Sequence, residues 1–276
     1  MQALLRPRKM VFGFDRYVFS DFTDFGSFAD EVKGLLYLNP GDFPADADFV
    51  AGHNALSSLQ SHYPHGQIIT FFREPFVRLF SQWLFWRSLP PHDIARWGGW
   101  QDYIKVSHGS LRDYLLNPIN APQNDNIYVR MLLWPHPLIQ ANAFIEECHY
   151  SQLVEEALVK IGTLAHFDLV ENPDFVANLS RWFGTEFTYP RLNELLELPV
   201  PLQIPFAQCV DAESLTAMRG KTAMDRLLWM HVARLKGLEP TVLSREARAV
   251  NLPRYARILQ PDLIDVGDIS GLLNLI

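Results

Sequence analysis

The sequence predicts an α/β protein built on a mainly parallel sheet, and three neighbouring stretches carry that prediction. Asp48-Phe49-Val50-Ala51 reads as a short buried strand, Asn54 to Tyr63 as a helix, and Gln67-Ile68-Ile69-Thr70-Phe71-Phe72 as an uninterrupted apolar strand. Strand, helix and strand in that order make a βαβ unit, whose two strands lie parallel. The alternation continues downstream. Ser151 to Ile161 has helical spacing, His166 to Val170 is another short strand, and Asn172-Pro173 opens a helix that Gly184 closes.

Taken in order, residues 1–45 are rich in Phe, Asp and Gly without a sustained period, and only Phe28 to Leu38 passes for an amphipathic helix. This stretch is expected at the periphery, so the sheet lacks a first strand before Asp48. Arg73-Glu74-Pro75 ends the strand 67–72, which is placed centrally in the sheet. Proline suits the first position of the next helix, where its missing N–H would have no partner. Phe76, Leu79, Phe80 and Trp83 then fall at i, i+3, i+4 and i+7, a stripe that faces the core, with Arg78, Ser81 and Gln82 beside it. Trp83, Phe85, Trp86, Trp97 and Trp100 are expected to be mostly core. Asn117 to Asn126 reads as a long loop. Asp211 opens a last helical region that breaks at Gly220 and runs to about Lys236. Past Pro240 an extended tail is expected, with Leu272, Leu273 and Ile276 docking on the body. Residues 1–240 are thus one domain, and 241–276 an extension that packs on it or trails from it.

Composition limits the function classes. With 276 residues, 48% of them hydrophobic, the chain can bury a sizeable core. Its 24 Lys and Arg against 31 Asp and Glu give a net charge of -7, which disfavours a general nucleic-acid binder. Cys148 and Cys209 stand alone, so neither a disulfide framework nor a structural zinc site is indicated, and a reducing compartment fits. The amino terminus lacks the apolar core of a signal peptide, and no apolar run reaches the ~20 residues of a membrane span. A cytoplasmic protein is expected.

Chemistry concentrates after the strand 67–72. A strand ending in Arg73, a proline-started helix and the Ser81 hydroxyl make an anion site, with the helix terminus offering N–H groups and a partial positive charge, and Arg73 a bidentate fork. The competing reading pairs Arg73 with Glu74 or another acid and leaves Ser81 in solvent.

The run Ile68-Ile69-Thr70-Phe71-Phe72-Arg73-Glu74-Pro75-Phe76-Val77-Arg78-Leu79-Phe80-Ser81 resembles the 3'-phosphate motif of the sulfotransferases, especially the branch with the heparan sulfate 2-O-sulfotransferases and many bacterial relatives. The resemblance spans roughly 46–234 and implies a P-loop-like sulfotransferase domain. It implies 3'-phosphoadenosine 5'-phosphosulfate as co-substrate, with no metal, and transfer of its sulfuryl group to a hydroxyl on a carbohydrate, lipid or small metabolite. It assigns Arg73 and Ser81 to the 3'-phosphate, with Arg78 either a further phosphate contact or structural. Gly52-His53 is similar to the element that supplies an active-site histidine, which makes His53 the candidate base; a structural histidine is the alternative. Asn124-Asp125-Asn126-Ile127-Tyr128-Val129-Arg130 looks like a segment bordering the nucleotide, which gives Arg130 an auxiliary contact or, alternatively, a surface role.

One departure stands out. The family's lysine- and glycine-containing loop, which holds the 5'-phosphosulfate after a first strand, has no counterpart in Arg6-Pro7-Arg8-Lys9. Either the chain begins within a longer protein or it is a degenerate member, and a non-catalytic nucleotide-binding or interaction protein is the rival reading. Other motifs carry less. Gly220-Lys221-Thr222 mimics a phosphate loop but lies in a helical pattern without a preceding strand. His62 and His65 flank Pro64 and cannot share a helix face as metal ligands. Ser57-Ser58 lacks the glycine-flanked elbow of a hydrolase.

Overall fold

Parallel pairing organises residues 9–186 and 197–261, the parts of the chain that the computed structural model describes. Strands β1 (Met10–Asp15), β2 (Leu36–Tyr37) and β3 (Phe49–His53) form a sheet in the order β2-β1-β3, and β4 (Ile69–Phe72) pairs with β5 (His166–Leu169) in a second one. Every pairing is parallel. Gly13 stands opposite Gly52 on the paired strands, and Gly52 has φ 141°. A Cβ on Gly52 would fall 1.9 Å from the Gly13 carbonyl oxygen, so only glycine lets the two backbones approach this closely.

Helix α1 (Leu56–His62) links β3 to β4, and α2 (Pro75–Ser88) follows β4 at once. The α2 stripe is buried as its spacing predicts: Leu79, Phe80 and Trp83 are fully enclosed. Then come α3 (Ile127–Leu133), α4 (Tyr150–Ile161) and α5 (Phe175–Phe183), which Gly184 closes at φ 66°. The last three are α6 (Ala212–Lys221), whose Ser214 N–H is capped by Asp211, α7 (Ala223–Leu235) and α8 (Pro240–Leu259). One apolar core gathers Phe19, Phe28, Phe80, Trp83 and Tyr255; a second joins Phe72, Leu153, Leu169 and Trp229. Trp83, Trp86 and Trp100 are core residues, as expected.

Several expectations are corrected. Residues 9–45 are not peripheral, because β1 is the central strand of its sheet and Phe19 and Phe28 are buried. A strand before Asp48 is therefore present; Gly13 interrupts its apolar run and hides the pattern. Between Phe28 and Leu38 only Asp30–Lys33 is helical, and Leu36–Tyr37 is β2. The strands β3 and β4 do not share a sheet, so strand 67–72 is not central. Ile69, Thr70 and Phe71 are only half-buried, whereas a central parallel strand is covered on both faces. Residues 117–126 form no open loop. They make short helical turns whose asparagines work internally: Asn124 Nδ2 donates to the Tyr114 carbonyl, and Asn126 Oδ1 accepts from Met224 N at the start of α7. Helix α6 runs through Gly220 and breaks at Thr222.

The largest correction lies beyond Pro240, where 20 residues form α8 in place of an extended tail. Leu243, Ala247, Leu252, Tyr255, Ala256 and Leu259 face inward, and the charged residues between them mask that stripe. The helix packs on α2. Leu272, Leu273 and Ile276 lie outside the described residues. No described helix is long and apolar enough to cross a membrane.

Candidate functional site

A cleft of about 1060 Å³ opens where the two sheets fail to join. It is lined by β3, β4 and the flank of α2, and His53, Arg73, Arg78 and Ser81 all border it. Four of the five residues singled out in the sequence thus meet in one place, although they come from two sheets and a helix.

Arg73 sits where β4 ends. Its backbone is clamped by one hydroxyl, since Tyr128 OH accepts from Arg73 N at 2.9 Å and donates to Arg73 O at 2.8 Å. Its guanidinium donates through Nη2 to Asn251 Oδ1 and Tyr255 OH, both at 3.0 Å, and through Nη1 to Ser81 Oγ at 3.4 Å. All three partners are neutral. Among the described residues no carboxylate reaches ion-pair distance, and Glu74 does not supply one. Glu74 is itself paired with Arg248, whose Nη2 and Nε donate to Oε1 at 2.6 and 2.9 Å, while Ser244 donates to the same oxygen. Arg73 therefore keeps its positive charge facing the cleft beside a hydroxyl, an arrangement that suits an anion.

The helix terminus contributes less than its sequence predicts. Glu74 Oε2 accepts from Val77 N at 2.7 Å, and Glu171 Oε1 accepts from Glu74 N at 2.8 Å. Two of the N–H groups at the start of α2 are already satisfied by the chain's own carboxylates. Burial raises the pKa of Glu171, an effect opposed by its hydrogen bonds and the Arg73 charge. Anion binding thus falls to side chains.

His53 ends β3 and keeps exposed surface toward the cleft while protein packs closely around it. Phe14 stacks on its ring at 5.7 Å with an interplanar angle of 2°. Desolvation first, and the Arg78 charge second, lower its pKa below the ordinary 6.5. Neutral imidazole is the form a general base needs.

Arg130 does not join them. It is 2% exposed, and its guanidinium is consumed by Asp125, at 2.9 Å, and by the carbonyls of Asp125, Gln140 and Ala143. Neither an auxiliary contact to a nucleotide nor a surface position describes it; it ties the 125–145 segment together. Lys221 ends α6 over the Phe144 ring, and the cleft lining does not include it. Among the described residues, Glu146, Cys148 and His149 bring three ligand-type atoms within 4.8 Å of one another, away from the cleft lining.

Asn251 and Tyr255, which hold Arg73, escaped sequence reasoning because their segment carries no clear stripe. Their i, i+4 spacing is a signal only once a helix is assumed. Tyr128 lies in the flagged 124–130 segment, yet nothing local in the sequence points its hydroxyl at Arg73. Protein-family models, curated proteins and solved structures were all compared with the chain, and none matches it.

Proposed function

We propose that the cleft binds a nucleotide with a 3'-phosphate and that the chain transfers a sulfuryl group from 3'-phosphoadenosine 5'-phosphosulfate to a hydroxyl acceptor. One observation carries this reading: Arg73 faces the cleft with neutral partners only, its Nη1 3.4 Å from Ser81 Oγ, as a phosphate clamp requires. In the step itself the acceptor oxygen bonds to sulfur and the bond from sulfur to the 5'-phosphate oxygen breaks. The acceptor proton passes to His53, and the departing phosphate keeps the electron pair. His53, lowered in pKa and open to the cleft, suits that proton transfer.

The rival is a non-catalytic nucleotide-binding protein, favoured by the turn that follows β1. Asp15-Arg16-Tyr17-Val18-Phe19-Ser20 has neither lysine nor glycine, and Arg16 lies against the Phe25 ring. Calorimetric titration with adenosine 3',5'-bisphosphate, run on the chain and on Arg73→Ala, tests the nucleotide site. Binding by the chain that is weakened about 10- to 100-fold in the variant supports it, given the strength of charge-assisted bonds to phosphate. An absence of binding refutes both readings. Release of the bisphosphate from the sulfated donor in the presence of a hydroxyl acceptor selects the enzyme, and binding without release selects the rival.

A further inference from the structure

Away from the cleft, three side chains of metal-binding type share one turn. Glu147–His149 is a single 3-10 turn that runs straight into α4, and Glu146 caps its start. Three residues per turn set Glu146 and His149 one above the other, with Cys148 between them on the chain. The three side chains converge. Cys148 Sγ donates to Glu146 Oε2 at 3.6 Å, and His149 Nε2 lies 4.0 Å from the same oxygen. All three ligand-type atoms fall within 4.8 Å of one another. A surface ion pair between His149 and Glu146 would account for one of these approaches, but not for the thiol drawn to the same oxygen.

These spacings fit a small tetrahedral ion. Zinc bonds to sulfur at about 2.3 Å and to imidazole nitrogen or carboxylate oxygen at about 2.1 Å, so neighbouring ligand atoms of a tetrahedral site stand about 3.4–3.6 Å apart. The sulfur–oxygen spacing already has that value. The imidazole has to close by about 0.5–1 Å, which rotation of a partly exposed side chain supplies. The donor set also selects the ion, since calcium and magnesium take oxygen ligands whereas thiolate and imidazole suit zinc and its neighbours. The backbone that carries the ligands is fixed on both sides. Before the turn, Ile145 N donates to Asp125 Oδ2 at 2.8 Å, and Arg130 Nη2 holds the Ala143 carbonyl at 2.6 Å. After it, Leu153, Ala157 and Ile161 bury one face of α4. His149 N closes the turn itself on the Glu146 carbonyl at 3.0 Å. Binding then has only three side chains to order.

We propose that Glu146, Cys148 and His149 bind a divalent cation of the zinc class at the entry to α4. The site is independent of the nucleotide reading above. Cys148 coordinates as thiolate, and the proton it gives up passes to solvent. Three protein ligands leave one tetrahedral position to water, and because Glu146 and Cys148 are exposed the ion exchanges with the medium. Loading the site withdraws the Cys148 thiolate from other reactions, so the availability of metal sets the reactivity of that thiol.

Titration of the full chain with cobalt(II) and with zinc, alongside the rate at which an aromatic disulfide modifies Cys148, tests the site. Cobalt should give a near-ultraviolet thiolate charge-transfer band together with the intense visible bands of tetrahedral coordination, and zinc should displace it. Cys148→Ser should lose the charge-transfer band. Zinc should slow modification of Cys148 about 10-fold or more, while Cys209, being buried, stays unreactive throughout. His149→Ala and Glu146→Ala keep the thiol, and each should weaken zinc binding at least about 10-fold and remove the protection at the zinc concentration that protects the parent. Both variants should melt with the parent when no metal is added, since the side chains they remove lie at the surface. A cobalt spectrum without the thiolate band, a Cys148 whose reactivity ignores zinc, or protection that survives either alanine substitution would overturn the site. A chain that binds neither metal would overturn it as well.

Discussion

Replacing Glu74 by Gln tests how α8 is fastened to the start of α2. The Glu74 side chain is 2% exposed and that of Arg248 11%, so their 2.6 Å pair is largely withdrawn from water. One oxygen of Glu74 caps Val77 N; the other receives Arg248 and Ser244. Glutamine has only one acceptor oxygen, so it can serve the cap or the guanidinium but not both. If it keeps the cap, Arg248 is left charged and half-satisfied, a loss of 3–5 kcal/mol for a fully buried pair. If it keeps Arg248 as a neutral partner, the cap is lost at about 1 kcal/mol, together with the ionic part of the pair. The residual exposure of Arg248 reduces either figure, and we expect about 3 kcal/mol. For a chain of this size that lowers the melting temperature by about 8 °C. Chemical denaturation of the parent, Glu74→Gln, Arg248→Met and the double variant would measure it, with a coupling near 2 kcal/mol expected between the two sites. A loss below about 1 kcal/mol in Glu74→Gln would mean that desolvation already cancels the pair, and the account of how α8 is anchored would be wrong.

Three further outcomes are expected. Gly52→Ala should cost about 3 kcal/mol, from positive-φ strain and the clash with the Gly13 carbonyl, read as a lower denaturation midpoint; an unchanged midpoint would show that the β1–β3 contact can relax. His53→Gln should reduce sulfuryl transfer about 100-fold or more while bisphosphate affinity holds. Because the imidazole pKa is lowered, the acid limb of the parent's pH–rate profile should lie below 6.5, and a limb at or above that value would remove His53 as the base. Burial pushes Asp225 from its ordinary 3.8 up to about 7, so the native state holds the proton more tightly than the unfolded chain does. Its contribution to stability should therefore fall as pH rises from about 4 to about 7 and level off above, and stability curves of Asp225→Asn should lack that slope. Parallel curves for parent and variant would contradict the assignment.

Local signals located much of the site. Arg73, Arg78 and Ser81 were legible because a strand end, a proline-started helix and an i, i+3, i+4 stripe fix where each side chain points relative to the next, whatever the rest of the chain does. Gly52-His53 was legible as a motif, and the structure adds why the glycine is needed, since both its positive φ and the approach of β1 exclude a Cβ there. Arg130 shows the limit of such reasoning. Its spacing from Asn126 is local information, but whether its guanidinium meets the cleft or three backbone carbonyls depends on where residues 140–143 fold back.

The sequence by itself determined the α/β class, the strand–helix junction at Arg73 and the closure of α5 at Gly184, because each depends on residues close together in the chain. Only the tertiary structure decided that β1 exists at the centre of a sheet, that β3 and β4 part to leave a cleft, and that α8 supplies Asn251 and Tyr255 to Arg73 across 178 and 182 residues. Those outcomes turn on which buried surfaces meet. A strand interrupted by glycine, or a helix whose inward face is scattered among charges, carries too little periodic signal to be recognised until the partner that buries it is in place.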